Sequence, residues 1–224
     1  MSWRTVFGIA VAAVAIGVAA GLAQERFDYR VRDTMFRAFA GNAAAFKDAM
    51  ATIEQTLADD PDHAEALVWR GAGRYWQAGQ AFRAGDIDGA RALARDAMAD
   101  LDRAIALRPH DVGVLVPRAG VLLAAARGQR DPARGRDLAA RAAADLETAL
   151  AIRQSAFDRL GQHNRGEYLS GLAESWLRAG HPDKADAYLR RILAELPGSP
   201  YAERAAAKLA DPGDPRPLNC LTCH

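Results

Sequence analysis

A helix-forming segment recurs along this chain and limits the folds that it can adopt. The segment ARDAMADLDRAIALRP, residues 94–109, aligns with AARAAADLETALAIRQ, residues 139–154, at an offset of 45. Segments of this kind end at 61, 109, 154 and 197, which are 48, 45 and 43 residues apart. In each, an alanine is followed four residues later by a larger apolar residue: Ala49 and Ile53, Ala97 and Leu101, Ala142 and Leu146, Ala185 and Leu189. A period of this size predicts repeated helix pairs that bury their apolar faces against one another.

The last unit, YLSGLAESWLRAGHPDKADAYLRRILAELP, carries the clearest pattern. Its key positions are Leu169, Leu172, Ala173, Trp176, Ala185, Leu189 and Pro197. This spacing resembles the tetratricopeptide repeat, a helix-turn-helix unit of about 34 residues in which a small residue lets the two helices pack closely. The resemblance implies an all-α, tetratricopeptide-like helical-hairpin solenoid over residues 28–210, of about four long helix pairs. Such solenoids bind proteins, so protein partners are expected to dock on it.

Turns and composition agree with a helical solenoid. GDIDG, GQRDP and GHPDK are Gly/Asp/Pro turns between helices, and GSPYAERAAAKLA predicts a closing helix with Ser199 as N-cap and Pro200 in its first position. The net charge of +1 gives no basic footprint for nucleic acid. No Ser/His/Asp grouping suggests catalysis, and no small-molecule substrate is evident, so an enzyme is not expected.

Residues 1–27 are predicted to form a membrane anchor or a signal peptide. The apolar run over residues 6–23 is about long enough to span a bilayer as a helix, and Trp3 fits an interfacial position. Cleavage after Ala23 is the alternative, since Gly21 and Ala23 are small. We expect a retained transmembrane helix. The arginines that follow it, Arg26 to Arg37, oppose an outward-facing domain, so the orientation must come from another feature.

Residues 211–224 differ in character from the repeats. Prolines at 212, 215 and 217 exclude a helix and predict an extended, Pro-rich tether. The tether leads to Cys220-Leu221-Thr222-Cys223-His224, which contains both cysteines of the chain. Cys-x-x-Cys-His resembles the haem attachment motif of c-type cytochromes. The resemblance implies that Cys220 and Cys223 hold haem c covalently and that His224 is the proximal iron ligand.

Three other interpretations of the motif stay open: a dithiol redox pair, a zinc site and a surface disulfide. A redox pair normally sits on a thioredoxin-like fold, for which no strands are predicted, and a zinc site would lack an evident fourth ligand. If haem binds, its sixth ligand must come from earlier in the chain or from a partner. The candidates within the chain are His63, His110, His163, His181, Met35, Met50 and Met98.

The sequence thus predicts a membrane-anchored helical-repeat protein with one c-type haem on its tail, acting as an electron-transfer or accessory subunit of a larger membrane complex. Because covalent haem attachment takes place on the periplasmic side of bacterial membranes, the predicted location is the inner membrane, single-pass, with the repeats in the periplasm. The alternative is a haem-free scaffold or assembly factor of the bacterial envelope, with the tail cysteines as a redox or metal handle.

Overall fold

The computed structural model describes residues 26–214 and 216–218, and within them the chain is built from α-helices without a β-strand. A short 3₁₀ helix, Gln154–Arg159, lies between the sixth and seventh α-helices. The α-helices are α1 (Phe27–Phe39), α2 (Ala43–Asp59), α3 (Ala64–Arg83), α4 (Ile87–Leu107), α5 (Val112–Gly128), α6 (Pro132–Arg153), α7 (Gln162–Ala179), α8 (Pro182–Glu195) and α9 (Pro200–Ala210).

Polar side chains at the turns define where most helices begin. The residues that precede six of the helices each accept a hydrogen bond from a backbone N–H in the first turn: Asn42, His63, Asp86, Asp111, Asp131 and Ser199. The predicted closing helix is confirmed as α9, with Ser199 Oγ accepting from the N–H of Ala202 at 3.1 Å. Gly180 follows α7 with φ of 87°, a left-handed conformation that favours glycine.

Consecutive helices pair into four hairpins, α1–α2, α3–α4, α5–α6 and α7–α8, and α9 packs against the last of them. The first helices of successive hairpins also touch, in the order α1, α3, α5, α7, α9. We call these five helices the first-helix layer. The second helices lie behind this layer, so each hairpin contacts its neighbours along the chain. This arrangement is compatible with a tetratricopeptide-like solenoid.

The close approach within a hairpin depends on a small residue in its first helix. In α3 this residue is Gly71, where an added Cβ would lie 2.9 Å from Leu101 Cδ2 and 3.1 Å from the carbonyl oxygen of Ala97. Ala119 in α5 and Ala173 in α7 are also buried small residues, and Ala173 is the position that the sequence pattern assigned to this role. Helix α4 can therefore lie directly against the backbone of α3.

The apolar core forms three clusters along the array. The first joins α1 to α5, and the second joins α5 to α8. The third contains Phe157, Leu169, Ala173, Leu189, Ile192, Leu196, Tyr201, Ala202, Ala205 and Leu218. Successive clusters share helices, so apolar packing extends along the array of described helices.

The prediction of an all-α fold is confirmed, and that of a transmembrane helix is corrected. No helix within residues 26–214 is long and apolar enough to cross a bilayer. The most apolar, α5, has 17 residues and carries Arg118 and Arg127. At 1.5 Å per residue it is about 26 Å long, shorter than the roughly 30 Å of hydrocarbon in a bilayer. The expected anchor, residues 6–23, lies outside the described residues, and a single-pass inner-membrane location is not supported.

Candidate functional site

The tail that follows α9 folds back onto the helices. The side chain of Leu218 is only 2% exposed and belongs to the third cluster. Lys208 on α9 donates a hydrogen bond from Nζ to the backbone carbonyl of Asp214, and the Asp214 carboxylate accepts from the backbone N–H of Arg216 at 2.8 Å. The predicted extended tail is therefore wrong as far as Leu218. Burial of a leucine contributes about 1.5–3 kcal/mol, and prolines reduce the entropy that the segment loses on ordering.

The predicted haem-binding residues, Cys220, Cys223 and His224, lie outside the described residues, so their roles stay predictions. The structure instead shows the point from which the chain leads to them, which is the third cluster. Two residues of extended chain span at most about 7 Å. The burial of Leu218 therefore limits how far from this cluster a group attached to Cys220 could lie.

The methionines considered as a second iron ligand belong to other parts of the core. Met35 is fully buried in the first cluster, and Met50 and Met98 pack against that cluster. Met98 also packs against the second cluster. The structure therefore places none of the three in the cluster that holds Leu218.

Three of the candidate histidines also lie away from the third cluster or serve another role. His63 caps α3, since its Nδ1 accepts from the N–H of Ala66 at 3.1 Å. The ring of His181 meets the ring of Trp176, a member of the second cluster, at a centroid distance of 5.3 Å. His110 is exposed in the turn between α4 and α5.

His163 differs from these because its partner belongs to the third cluster. It lies in the first turn of α7, and its Nδ1 is 2.8 Å from the hydroxyl of Tyr201 in α9. The same hydroxyl donates to Oε1 of Glu167 at 2.7 Å. The structure thus brings one exposed histidine, one buried tyrosine and one carboxylate into a hydrogen-bonded series across α7 and α9.

Gly166 allows Tyr201 to occupy this place. An added Cβ at Gly166 would lie 2.4 Å from Cδ2 and Cε2 of the Tyr201 ring, closer than a real Cβ approaches another atom. The ring therefore lies directly on the backbone of α7. Residues 163 and 167 are one turn apart on the same face of that helix, so both side chains reach the tyrosine hydroxyl.

A surface groove of about 290 Å³ lies beside the third cluster, between the end of α6 and α8. Its lining includes Glu147, Leu150, Phe157, Tyr188 and Arg191. Glu147 Oε1 accepts from Tyr188 Oη at 3.1 Å. Burial, and then the Glu147 carboxylate, raise the pKa of Tyr188 to about 12. The tyrosine is therefore a neutral hydrogen-bond donor in this groove at ordinary pH.

Ion pairs between helices, each with a buried carboxylate, are the polar feature that the sequence patterns did not reveal. Arg70 in α3 forms a two-point contact with Asp100 in α4, at 2.9 and 2.7 Å. Arg118 in α5 contacts Asp145 in α6 at 2.8 and 2.7 Å. The repeated Asp-Leu of the two aligned segments, Asp100-Leu101 and Asp145-Leu146, was the available signal. These pairs join the two helices within a hairpin.

Within residues 26–214 and 216–218, no group of three or more metal-ligating side chains is placed to hold a metal ion. No protein-family model, no curated protein and no solved structure matches the chain.

Proposed function

We propose that this chain is a tetratricopeptide-like solenoid that carries one covalently bound c-type haem on its tail and acts in electron transfer within a larger protein assembly. The observation that carries the proposal is the Cys-x-x-Cys-His sequence at residues 220–224, which begins two residues after the buried Leu218. A haem at this place would be held beside the array of helices, not at the end of a long free tether.

The donor set fits haem c. Cys220 and Cys223 would each add an S–H across one vinyl group of the porphyrin. A carbon–sulfur bond would form at each cysteine and the thiol proton would go to the other vinyl carbon, with no net oxidation or reduction. His224, adjacent to the second cysteine, would bind the iron through its imidazole. The haem, once bound, supplies one-electron chemistry.

The helices would supply the protein contacts. The first-helix layer of α1, α3, α5, α7 and α9 forms a continuous surface of five neighbouring helices, and repeat arrays of this kind bind peptides or other subunits along such a surface. The helices would dock a partner protein close to the tail. Electrons would then pass over a short distance between the haem and that partner.

A reduced pyridine-haem spectrum tests the proposal, on full-length protein made in cells that attach haem c. We expect a c-type band in the wild-type protein. Its loss is expected in the double variant C220A/C223A, where neither thioether can form. The matched control is Ser155→Ala, an exposed residue in the 3₁₀ helix, which should keep the band.

A colourless wild-type protein would contradict the haem proposal. The second candidate, a haem-free scaffold, would then be favoured, because the paired helices and the first-helix layer could still dock a partner protein. Thiol titration after reduction would show whether Cys220 and Cys223 act as a dithiol in that case.

A further inference from the structure

We propose that the groove between α6 and α8 binds a basic side chain of a partner protein, with its cationic head at Glu147. The inference does not depend on a haem, because every residue that carries it belongs to the described helices. It adds a protein-binding site on the second-helix side of the array to the docking surface proposed for the first-helix layer.

Two helix faces and the 3₁₀ helix form the groove. Glu147 and Leu150 are three residues apart and share one face of α6, and Tyr188 and Arg191 share one face of α8 in the same way. Phe157 of the 3₁₀ helix completes the apolar floor. The volume of about 290 Å³ is below the roughly 300–1,000 Å³ of sites that enclose a whole small ligand. The groove therefore suits a single side chain.

The half-buried carboxylate of Glu147 has no cationic partner among the described residues. Its Oε1 accepts from Nε1 of Trp176 at 2.9 Å and from the hydroxyl of Tyr188 at 3.1 Å. Both donors are neutral, since the pKa of Tyr188 is raised to about 12. Within the described part of the chain, Oε2 accepts no hydrogen bond. A partly desolvated negative charge of this kind favours a cationic ligand.

Nearby carboxylates show how the chain usually compensates such a charge. Three of those that contact a neighbouring helix each meet an arginine at 2.7 Å: Asp145 with Arg118, Glu174 with Arg127, and Glu195 with Arg165. Glu147 also contacts neighbouring helices, but through neutral donors. Its missing counter-charge is the one that a partner protein would supply.

Lys184 is the internal alternative to a partner cation, because it lies one turn before Tyr188 on α8. The structure places its Nζ over the ring of Trp176, 3.8 Å from the ring centroid, and not in an ion pair with Glu147. Such a cation–π contact is itself favourable, so Lys184 has a position that leaves the carboxylate accessible.

Arg191 gives the other end of the groove a positive charge, because the carboxylate of Glu195 is shared between Arg191 and Arg165. The Arg191 guanidinium lies 4.9 Å from the centroid of the Phe157 ring. This charge repels a second cation at that end. A ligand with one cation therefore lies with its head at Glu147 and its methylene stem along the apolar floor.

The test titrates the full-length protein with N-acetyl-lysine methylamide, which carries a lysine side chain and no charged ends. The indole N–H of Trp176, followed by NMR, donates to Glu147, so its signal should move when a cation binds there. The norleucine analogue lacks only the ammonium group and should bind at least about tenfold more weakly. Glu147→Gln keeps an acceptor for the indole and should bind both probes alike. The matched control, Glu203→Gln at an exposed residue of α9, should behave as wild type.

Equal binding of the lysine and norleucine probes to the wild-type protein, or no saturable shift, would overturn the proposal. Tighter binding of N-acetyl-glutamate methylamide would also overturn it, since the groove would then take an anion at Arg191. Free lysine that binds at least about tenfold more tightly than the capped probe would indicate a small-molecule site instead. Lys184→Met should leave the Kd unchanged. A tighter Kd in that variant would show that Glu147 takes its counter-ion from this chain.

Discussion

Glu174 and Asp145 are both buried carboxylates beside arginines, yet their pKa values move in opposite directions. Burial alone would raise the pKa of Glu174, but hydrogen bonds from Arg127 and then Arg178 outweigh it and hold that pKa below its ordinary value. For Asp145, burial prevails over Arg118 and raises the pKa to about 6. The geometry explains the difference. Glu174 receives three N–H groups from two arginines, whereas both short contacts of Asp145 come from the same Nη1 of Arg118.

The pair between Arg127 and Glu174 yields a pH-dependent prediction. Because the folded-state pKa of Glu174 is lowered, its contribution to stability is present above the unfolded pKa, about 4.3, and is lost as pH falls through the folded value. Arg127→Ala should therefore reduce the free energy of unfolding by roughly 2 kcal/mol at pH 7. The difference in the free energy of unfolding between the variant and wild type should become smaller below about pH 4. Urea unfolding of both proteins at several pH values measures this difference.

The raised pKa of Asp145 also makes stability depend on pH, because its contribution is lost as pH rises through about 6. This dependence is the same in wild type and in Arg127→Ala, so it cancels when their free energies of unfolding are compared at the same pH. Arg91→Ala is the control, since its pair with Asp88 is largely exposed and should contribute no more than about 0.5 kcal/mol. An effect of Arg127→Ala that does not change with pH would mean that Arg127 acts by packing alone.

Among the secondary-structure elements, α3 and α4 show most clearly how a hairpin closes. Gly71 and Gly79 are both inside α3, but only Gly71 faces a neighbouring helix at close range. A Cβ at Gly71 would meet Leu101 at 2.9 Å, whereas the nearest atom for a Cβ at Gly79 is Nη1 of Arg83, at 3.6 Å. The two glycines therefore provide a matched pair within one helix.

Gly71→Ala should destabilise the protein by about 1–3 kcal/mol, because α4 must move away from α3. Gly79→Ala should stabilise it by roughly 0.5–1 kcal/mol, since alanine favours a helix interior over glycine. Thermal unfolding followed by circular dichroism measures both. Equal effects of the two substitutions would show that close packing at Gly71 does not control the hairpin.

The sequence predicted most of these elements but not the contacts that join distant ones. Helix periodicity, Gly/Asp/Pro turns and the Ser199 cap are local signals, and they indicated the four hairpins and α9. The burial of Leu218 had no such signal, because a single leucine among prolines has no periodicity. Likewise, Tyr201 and His163 are 38 residues apart, and only the packing of α9 on α7 brings them together. Arg118 was unexpected because arginine is rarely buried.

Across the described helices, contacts run within each hairpin and between neighbouring hairpins, and the buried apolar residues form three clusters. In such an array, stability is approximately a sum of local and nearest-neighbour contributions. A cavity at one end should therefore loosen that end more than the other.

Ile53→Ala and Leu218→Ala test this, since both side chains are almost fully buried, at 0% and 2% exposed, in the first and third clusters. Each substitution should lower the free energy of unfolding by about 2–5 kcal/mol. Hydrogen exchange should rise in α1–α3 for Ile53→Ala and in α7–α9 for Leu218→Ala, with the opposite end little changed. A uniform rise across all helices in both variants would show one cooperative unit.

The burial of Leu218 also sets an order of events during synthesis. Val121 is the last residue of the first cluster, and Leu218, the last of the third, is 97 residues later (218 − 121). At about 5–20 residues per second, the ribosome needs roughly 5–20 s to cover that distance. The beginning of the array can thus assemble while the third cluster still lacks its final leucine. Cys220 and Cys223 are translated just after it, so any enzyme that acted on them would meet a chain in which α1 to α9 have already been made.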